Sequence, residues 1–221
     1  MNYDIAYRVG FHPWENAIGD PAFVSTFSAL LDNEYPGGGP SEGPALDLGC
    51  GSGVWTVELA RRGWQVTGVD NVETALRRAH TRAREDSVEA RLVHGDVTDL
   101  RAAGVGSGFT LLLDTGTFHG LSPERRAAMS RELDAVAAPA ATLLMLAWTP
   151  RRRGPLPRGV SLGEIEEAFR GWVVADAGPS NFHAPGPIQL LFRPDERWYR
   201  LSRSPAASEN SRAPDDLRAR P

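Results

Sequence analysis

The chain lacks several residue types from which functional sites are often built. It contains one cysteine, Cys50, which excludes an internal disulfide and any metal site made of several cysteines. Lysine is absent, so all 24 basic residues are arginine. The net charge of −4 gives no electrostatic reason to expect nucleic acid or an anionic membrane surface as a partner.

Long apolar runs are absent too. No stretch is apolar enough to span a bilayer, and the first residues, MNYDIAYRVG, lack the basic-then-apolar layout of a signal peptide. We therefore predict a cytoplasmic protein. Arginine without lysine, together with frequent alanine, glycine and proline, is typical of a GC-rich bacterial genome. His80 and His94 have no partner at a metal-ligand spacing, so no metal is predicted.

Composition and periodicity divide the 221 residues into three parts. Residues 1–39 are predicted to form a helical lid or cap, residues 40–203 a core domain, and residues 204–221, which are polar and dotted with proline, a disordered tail. Asp20 and Pro21 predict the start of a helix within the first part. Before them, aromatic side chains recur at helical steps of three and four residues, at Tyr3, Tyr7, Phe11 and Trp14.

Short apolar runs alternate with longer amphipathic ones in the core domain. The runs that predict strands are PALDLG (44–49), WQVTGVD (64–70), ARLVHGD (90–96), FTLLLDTG (109–116) and TLLMLAWTP (142–150). The helical patterns between them are VWTVELARRG (54–63), VETALRRAHTRARED (72–86) and SPERRAAMSRELDAVAAP (122–139). This alternation predicts an α/β fold with a parallel sheet covered by helices on both faces. After a further helix at 161–172, the runs 172–179 and 196–203 have no helix between them, which predicts an antiparallel pair.

A glycine-rich turn follows the first predicted strand, in the segment DLGCGSG (47–53). The dinucleotide fingerprint Gly-x-Gly-x-x-Gly needs a glycine where this chain has Val54, and the Gly-Lys-Ser/Thr of a P-loop is missing. A nicotinamide-dependent reductase and a P-loop enzyme are both disfavoured by these differences.

An aspartate lies in or after each of the first four predicted strands, at Asp47, Asp70, Asp96 and Asp114. Ligands of open parallel sheets bind beyond the carboxyl ends of the strands, where the strand order reverses. Four acids there would repel a phosphate but suit a ligand with hydroxyls, an amine and a positive charge. S-adenosylmethionine has these groups and no phosphate.

Three segments resemble a known family. In order and spacing, Asp47-Leu-Gly-Cys-Gly-Ser-Gly53, Val69-Asp70 and His94-Gly-Asp96-Val97 are similar to the first three motifs of class I S-adenosylmethionine-dependent methyltransferases. The resemblance covers roughly residues 40–203. It implies a Rossmann-like, seven-stranded, mostly parallel sheet with an antiparallel last strand, with S-adenosylmethionine as cofactor and S-adenosylhomocysteine as product.

The resemblance also implies how the cofactor is held. Asp70 would bind the ribose hydroxyls and Asp96 the adenine amine, with Val72 and Val97 as apolar covers of the ring. Asp47 either faces the amino end of the cofactor or orders the loop without touching it. Glycines let the backbone approach the methionine part, where a side chain would collide. The full predicted cofactor site is Trp14, Asp47, Gly49, Gly51, Gly53, Asp70, Asn71, Asp96, Val97 and Asp114.

The fourth motif concerns the acceptor of the methyl group. Amine methyltransferases of this fold that act on proteins and nucleic acids often carry Asn/Asp-Pro-Pro-Tyr/Phe here, and this chain has Asp114-Thr-Gly-Thr-Phe-His119 instead. This segment and the element His12-Pro-Trp14-Glu resemble small-molecule enzymes of the thiopurine-methyltransferase-like group. We therefore expect a small-molecule acceptor that is methylated on O, N or S, and no nucleic-acid partner.

The predicted acceptor site consists of Tyr7, Trp14 and His119, with His119 and Asp114 as candidate catalytic residues. Methyl transfer is an in-line displacement, so the protein chiefly positions the acceptor and excludes water. His119 either removes a proton from the acceptor or has a structural role, as a helix cap or as a partner of Asp114. Trp14 either places its ring near the sulfonium or packs on the domain. A non-catalytic cofactor-binding module, and an enzyme that uses the sulfonium without methyl transfer, remain as alternatives.

Overall fold

The computed structural model describes residues 17–34, 43–152, 157–183 and 195–203. The helices in these ranges are α1 (Pro21–Glu34), α2 (Val54–Arg61), α3 (Glu73–Glu85), α4 (Pro123–Val136) and α5 (Leu162–Ala168), with a 3-10 turn at Phe118–Gly120. The strands are β1 (Pro44–Leu48), β2 (Gln65–Asp70), β3 (Arg91–His94), β4 (Phe109–Thr115), β5 (Ala137–Trp148), β6 (Trp172–Pro179) and β7 (Glu196–Arg203). No described helix combines the length and the apolarity that a bilayer-spanning segment needs.

The seven described strands form one sheet in the order β3-β2-β1-β4-β5-β7-β6. Neighbours from β3 to β5 run parallel, and β7 runs antiparallel to both β5 and β6. The predicted α/β class, mostly parallel sheet and antiparallel last strand are confirmed. The strand order reverses between β1 and β4, so the crevice at their carboxyl ends is where this kind of sheet binds ligands.

Capping side chains begin the helices where the sequence predicts them. The Asp20 carboxylate accepts a hydrogen bond from the Ala22 N–H (2.9 Å), so α1 begins at Pro21 as predicted. Ser122 caps α4, and Pro123 occupies its first turn. At α5, Ser161 and Glu164 form a reciprocal capping box.

The sheet separates two apolar layers. On one face, α1 and α2 pack through Phe23, Phe27 and Trp55 against Trp198 of β7. On the other face, α4 and α5 pack on the sheet through residues such as Met129. Successive β4 residues alternate between the layers, as the two-residue period of a strand requires, with Leu111 and Leu113 in the first layer and Leu112 in the second.

Two predicted helix ends differ from the structure by three residues or more. The helix predicted for 161–172 ends at Ala168, and β6 begins at Trp172. The helical pattern of 122–139 predicts helix as far as Pro139, but α4 ends at Val136 and β5 already begins at Ala137. A residue that precedes proline is restricted to extended backbone, which opposes helix at Ala138. The Ala137 backbone instead pairs with Phe109 of β4, next to a shift in register.

Candidate active site

A cavity of about 410 Å³ opens at the carboxyl ends of the central strands. We describe its lining as two ends: the loops after β1, β2 and β3 form the first, and aromatic side chains of α1, α2 and β5, with His119 from the loop after β4, form the second. The cavity contains these predicted site residues: Gly49, Gly51, Asp70, Asn71, Val72, Asp96, Val97 and His119. Asp47, Gly53 and Asp114 are absent from its lining.

Two glycines of the turn after β1, Gly49 and Gly51, line the cavity together with Cys50 and Ser52. Gly49 and Gly51 both have left-handed backbone, with φ of 64° and 55°. A Cβ on Gly49 would lie 2.0 Å from the Thr117 hydroxyl, and that hydroxyl donates to the Leu48 carbonyl (3.1 Å). The loops after β1 and β4 therefore touch at Gly49, where there is no room for a side chain.

Gly53 has a different function in this turn. It has left-handed backbone (φ 78°) and precedes α2, and a Cβ there would lie 2.8 Å from the Ala79 Cβ of α3. Glycine at this position allows α2 and α3 to pack closely. The predicted contact of Gly53 with the cofactor stays a prediction, since the structure brings this residue against a helix.

Replacing Gly53 with alanine should therefore lower the free energy of unfolding. Gly104→Ala is the matched control, because Gly104 also has left-handed backbone (φ 68°) but nothing within 4 Å of the added Cβ. Both variants have the backbone strain of about 1–2 kcal/mol, and Gly53→Ala adds overpacking that we expect to be worth about 1–2 kcal/mol more. Urea unfolding measures both, and equal losses would contradict this packing role.

Asp70 connects two loops that border the cavity. Its Oδ2 accepts from the Gly51 N–H (2.9 Å), and its Oδ1 accepts from the Val72 N–H (2.8 Å). Burial raises the pKa of this carboxyl, and the two backbone hydrogen bonds oppose that rise. Each carboxylate oxygen has two acceptor positions, so the bonded group can also accept hydroxyls from a ligand in the cavity.

Asp96 lies at the same end of the cavity and carries an unpredicted partner, Arg125. The Arg125 Nη2 is 2.9 Å from Oδ1 and 2.8 Å from Oδ2 of this carboxylate. The Thr98 N–H and hydroxyl also donate to Oδ1. Burial alone would raise the pKa of Asp96, but the hydrogen bonds from Arg125 and Thr98 outweigh it and the pKa is lowered. The carboxylate is thus ionised and oriented at neutral pH.

Asp47 lies behind the wall of the cavity. It is fully buried, and its Oδ2 accepts from the Thr56 hydroxyl (2.6 Å), while Oδ1 has no hydrogen-bond partner among the described residues. Burial raises its pKa to about 7, and the neighbouring charges of Asp70 and Asp114 add to the rise. The bond to α2 favours the loop-ordering alternative that the sequence left open for Asp47.

Asp114 is also buried outside the lining. It accepts from three successive backbone N–H groups, those of Gly116, Thr117 and Phe118, at 2.6 to 3.0 Å. Burial raises its pKa to about 6 against the effect of these bonds. The carboxylate shapes the turn that carries His119, and its predicted roles in cofactor binding and catalysis stay predictions.

His119 lines the other end of the cavity. Its ring stacks on Trp148, with 4.9 Å between centroids and 23° between planes. The Trp148 indole N–H donates to Oε1 of Glu196 (2.9 Å), which also lines the cavity. One structural role that the sequence allows for His119 is capping of the following helix, but Ser122 caps α4. A ring stacked at the cavity wall fits a contact with the acceptor.

Sequence reasoning missed most of the acceptor end. Phe23 and Trp55 meet there at 5.4 Å between ring centroids, and Phe182 packs edge-on against Phe23 at 6.0 Å. Trp148 is the last residue of β5. Its position could have predicted a place in the site, because the carboxyl end of a central strand faces the crevice.

Known proteins resemble this chain in sequence. The family described as "Methyltransferase domain" matches residues 45–140. The 2-heptyl-1-hydroxyquinolin-4(1H)-one methyltransferase of Mycobacteroides abscessus is 32% identical over 155 residues, which are 67% of this chain and 66% of the relative. Residues 45–140 belong to this methyltransferase-domain family. An uncharacterized methyltransferase of Mycobacterium tuberculosis is 34% identical over 131 residues, 59% of this chain and 62% of the relative. The chain thus spans slightly less than two thirds of the length of these relatives.

A solved structure has the same fold as this chain. It is the Burkholderia thailandensis 1,6-didemethyltoxoflavin-N1-methyltransferase with bound 1,6-didemethyltoxoflavin and S-adenosylhomocysteine. The two chains superpose with a TM-score of 0.68 at 20% identity, over 92% of this chain and 86% of the other. At that identity the likeness concerns the fold alone.

Two predicted site residues lie outside the described ranges. These are Tyr7 and Trp14, so the aromatic lid and the narrower resemblance to thiopurine-methyltransferase-like enzymes stay predictions. The proposed division into residues 1–39, 40–203 and 204–221 is likewise untested at its ends. The described residues contain no group of three or more His, Cys, Asp or Glu side chains that could hold a metal ion.

Proposed function

We propose that this methyltransferase moves a methyl group from S-adenosylmethionine to an O, N or S atom of a small molecule. The observation that carries the proposal is one continuous cavity with two chemically different ends. Carboxylates and glycines form one end, at Asp70, Asp96, Gly49 and Gly51. Aromatic rings form the other, where His119 stacks on Trp148.

The residues at the first end fit S-adenosylmethionine. Gly49 and Gly51 line the cavity and carry no side chains, so their backbone is available to the methionine part of the ligand. Asp70 would hold the ribose hydroxyls and Asp96 the adenine amine, between the apolar side chains of Val72 and Val97. When bound, this cofactor supplies a methyl group on a positively charged sulfur.

The residues at the second end would hold the acceptor and exclude water from it. Rings of Phe23, Trp55 and Trp148 offer flat apolar surfaces, which favour a flat, aromatic acceptor. The name of the Mycobacteroides abscessus relative denotes an acceptor of this kind, a hydroxyquinolinone. His119 would accept the proton of the acceptor, because an imidazole is the side chain whose ordinary pKa lies nearest to neutral pH.

We also infer that the protein works in the bacterial cytoplasm without a nucleic-acid or membrane partner. The net charge of −4 supports this inference, since both nucleic acid and anionic membranes attract basic surfaces. The relatives named above are bacterial.

Incubation with methyl-labelled S-adenosylmethionine and a panel of phenols, thiols and heteroaromatic amines tests the proposed function. We expect labelled product and S-adenosylhomocysteine to form in equal amounts with at least one aromatic member. At low cofactor concentration, Asp70→Ala should form both about ten- to a hundredfold more slowly. Cofactor binding without turnover of any member would favour a non-catalytic module. A changed acceptor without S-adenosylhomocysteine would favour an enzyme that uses the sulfonium without methyl transfer.

A further inference from the structure

Arg126 is a buried cation that lies under the acceptor end of the cavity. It belongs to α4, and only 6% of its surface is exposed. Its Nε donates to the Phe118 carbonyl (3.1 Å), and its Nη2 donates to the carbonyls of His119 (2.9 Å) and Gly159 (3.1 Å). The guanidinium also lies over the Phe118 ring, 5.5 Å from its centroid. A single side chain thus bonds two consecutive residues of the 3-10 turn and a separate loop.

The loop that Arg126 bonds is attached to Trp148. The Val160 N–H donates to the Trp148 carbonyl (2.9 Å), and a Cβ on Gly159 would lie 2.6 Å from the same oxygen. The backbone that carries His119 and the backbone beside Trp148 are therefore both tied to one guanidinium. These are the two residues whose rings stack at the cavity wall.

An ion pair on the far side holds the guanidinium in place. Its Nη1 is 3.3 Å from Oε1 of Glu164, the residue whose other oxygen accepts from Ser161 in the capping box of α5. Three nitrogens of the planar guanidinium are used in fixed directions. A lysine ammonium has its donors at one point and cannot reach the same carbonyls together.

We propose that Arg126 is a positioning residue that holds the His119 imidazole against Trp148 in the acceptor end of the cavity. Its importance for methyl transfer rests on the proposed function, but the placement of the ring can be measured without any turnover. A failure of this positioning proposal can therefore be distinguished from a failure of the proposed function.

Nuclear magnetic resonance of the histidine rings measures this placement in the full chain. Stacking on an indole shifts the His119 ring protons upfield. The spectrum of the His119→Asn variant lacks these signals, which identifies them among those of the five histidines. In Arg126→Met and Arg126→Lys we expect these signals to move downfield and broaden. Arg131→Met is the matched control, because Arg131 is an exposed residue of the same helix, and it should leave the signals unchanged.

A second measurement separates positioning from general support of the fold. S-adenosylhomocysteine should bind Arg126→Lys within about twofold of the unmodified protein, because the Asp70 end is not bonded to Arg126. With a panel acceptor that turns over, Arg126→Lys should lower kcat about tenfold, and the same substitution should have no further effect in a His119→Asn protein. Unchanged His119 signals in both Arg126 variants, or unfolding of both, would overturn the proposal.

Discussion

Replacing Asp70 with alanine should raise the dissociation constant for S-adenosylhomocysteine about ten- to a hundredfold. The change removes a carboxylate that lines the cavity, and hydrogen bonds to a charged group are worth about 1.5–3 kcal/mol. It also leaves the Gly51 and Val72 N–H groups without their acceptor, so part of the loss comes from loosening of the two loops. Isothermal titration calorimetry measures the constant directly.

Two comparisons separate the ribose contact from the loop effect. A ligand analogue without the ribose 2′-hydroxyl should bind the unmodified protein more weakly than S-adenosylhomocysteine does, and this difference should vanish in Asp70→Ala. Asp86→Ala is the control, since Asp86 pairs with Arg61 (2.5 Å) and does not line the cavity. Unchanged affinity in Asp70→Ala would remove the assignment of Asp70 to the cofactor.

The fold was predictable because local patterns and topology agree in this chain. Apolar runs of strand length, separated by amphipathic helices, leave few arrangements other than a parallel sheet, and the missing helix between β6 and β7 marks the exception. Asp70 and Gly49 were identifiable because Asp70 ends β2 and Gly49 directly follows β1, and the carboxyl ends of these parallel strands meet at one edge of the sheet. The end of α4 was missed because alanine is a strong helix former, whereas Pro139 opposes helix at Ala138 and the Ala137 backbone pairs with Phe109.

Contacts between distant positions were beyond sequence reasoning. Asp96 and Arg125 are 29 residues apart, and Arg126 reaches Gly159 across 33 residues, with no periodicity that joins them. The two arginines are neighbours on one helix, yet one bonds a carboxylate at the cofactor end and the other lies under the acceptor end. Helix geometry points adjacent side chains in different directions, and only the packed fold shows what each one meets.

Asp47 should make the protein less stable as the pH rises towards neutral. Burial raises its pKa to about 7 from the 3.8 of an exposed aspartate, so the folded state holds a proton that the unfolded chain has already lost. Between these two values, each pH unit lowers the free energy of unfolding by about 1.4 kcal/mol. The effect is complete above pH 7 and is absent below the unfolded value.

Asp47→Asn should remove this pH dependence, because an amide does not titrate. Its carbonyl can still accept from Thr56, while its N–H₂ lacks an acceptor among the described residues, and that penalty of about 1–3 kcal/mol is the same at every pH. Relative to the unmodified protein, the variant should therefore gain roughly 3–4 kcal/mol in free energy of unfolding between pH 4.5 and pH 8, measured by urea denaturation. Asp176→Asn is the control: its carboxyl is half-exposed, and burial, which raises its pKa, is outweighed by bonds from Arg197 and Gly178, which lower it. That group stays ionised across this range in both states, so the control curve should run parallel to that of the unmodified protein.

A parallel curve for Asp47→Asn as well would mean that the folded state holds Asp47 as a carboxylate at pH 4.5. The inference that burial keeps Asp47 protonated in the folded state would then be wrong.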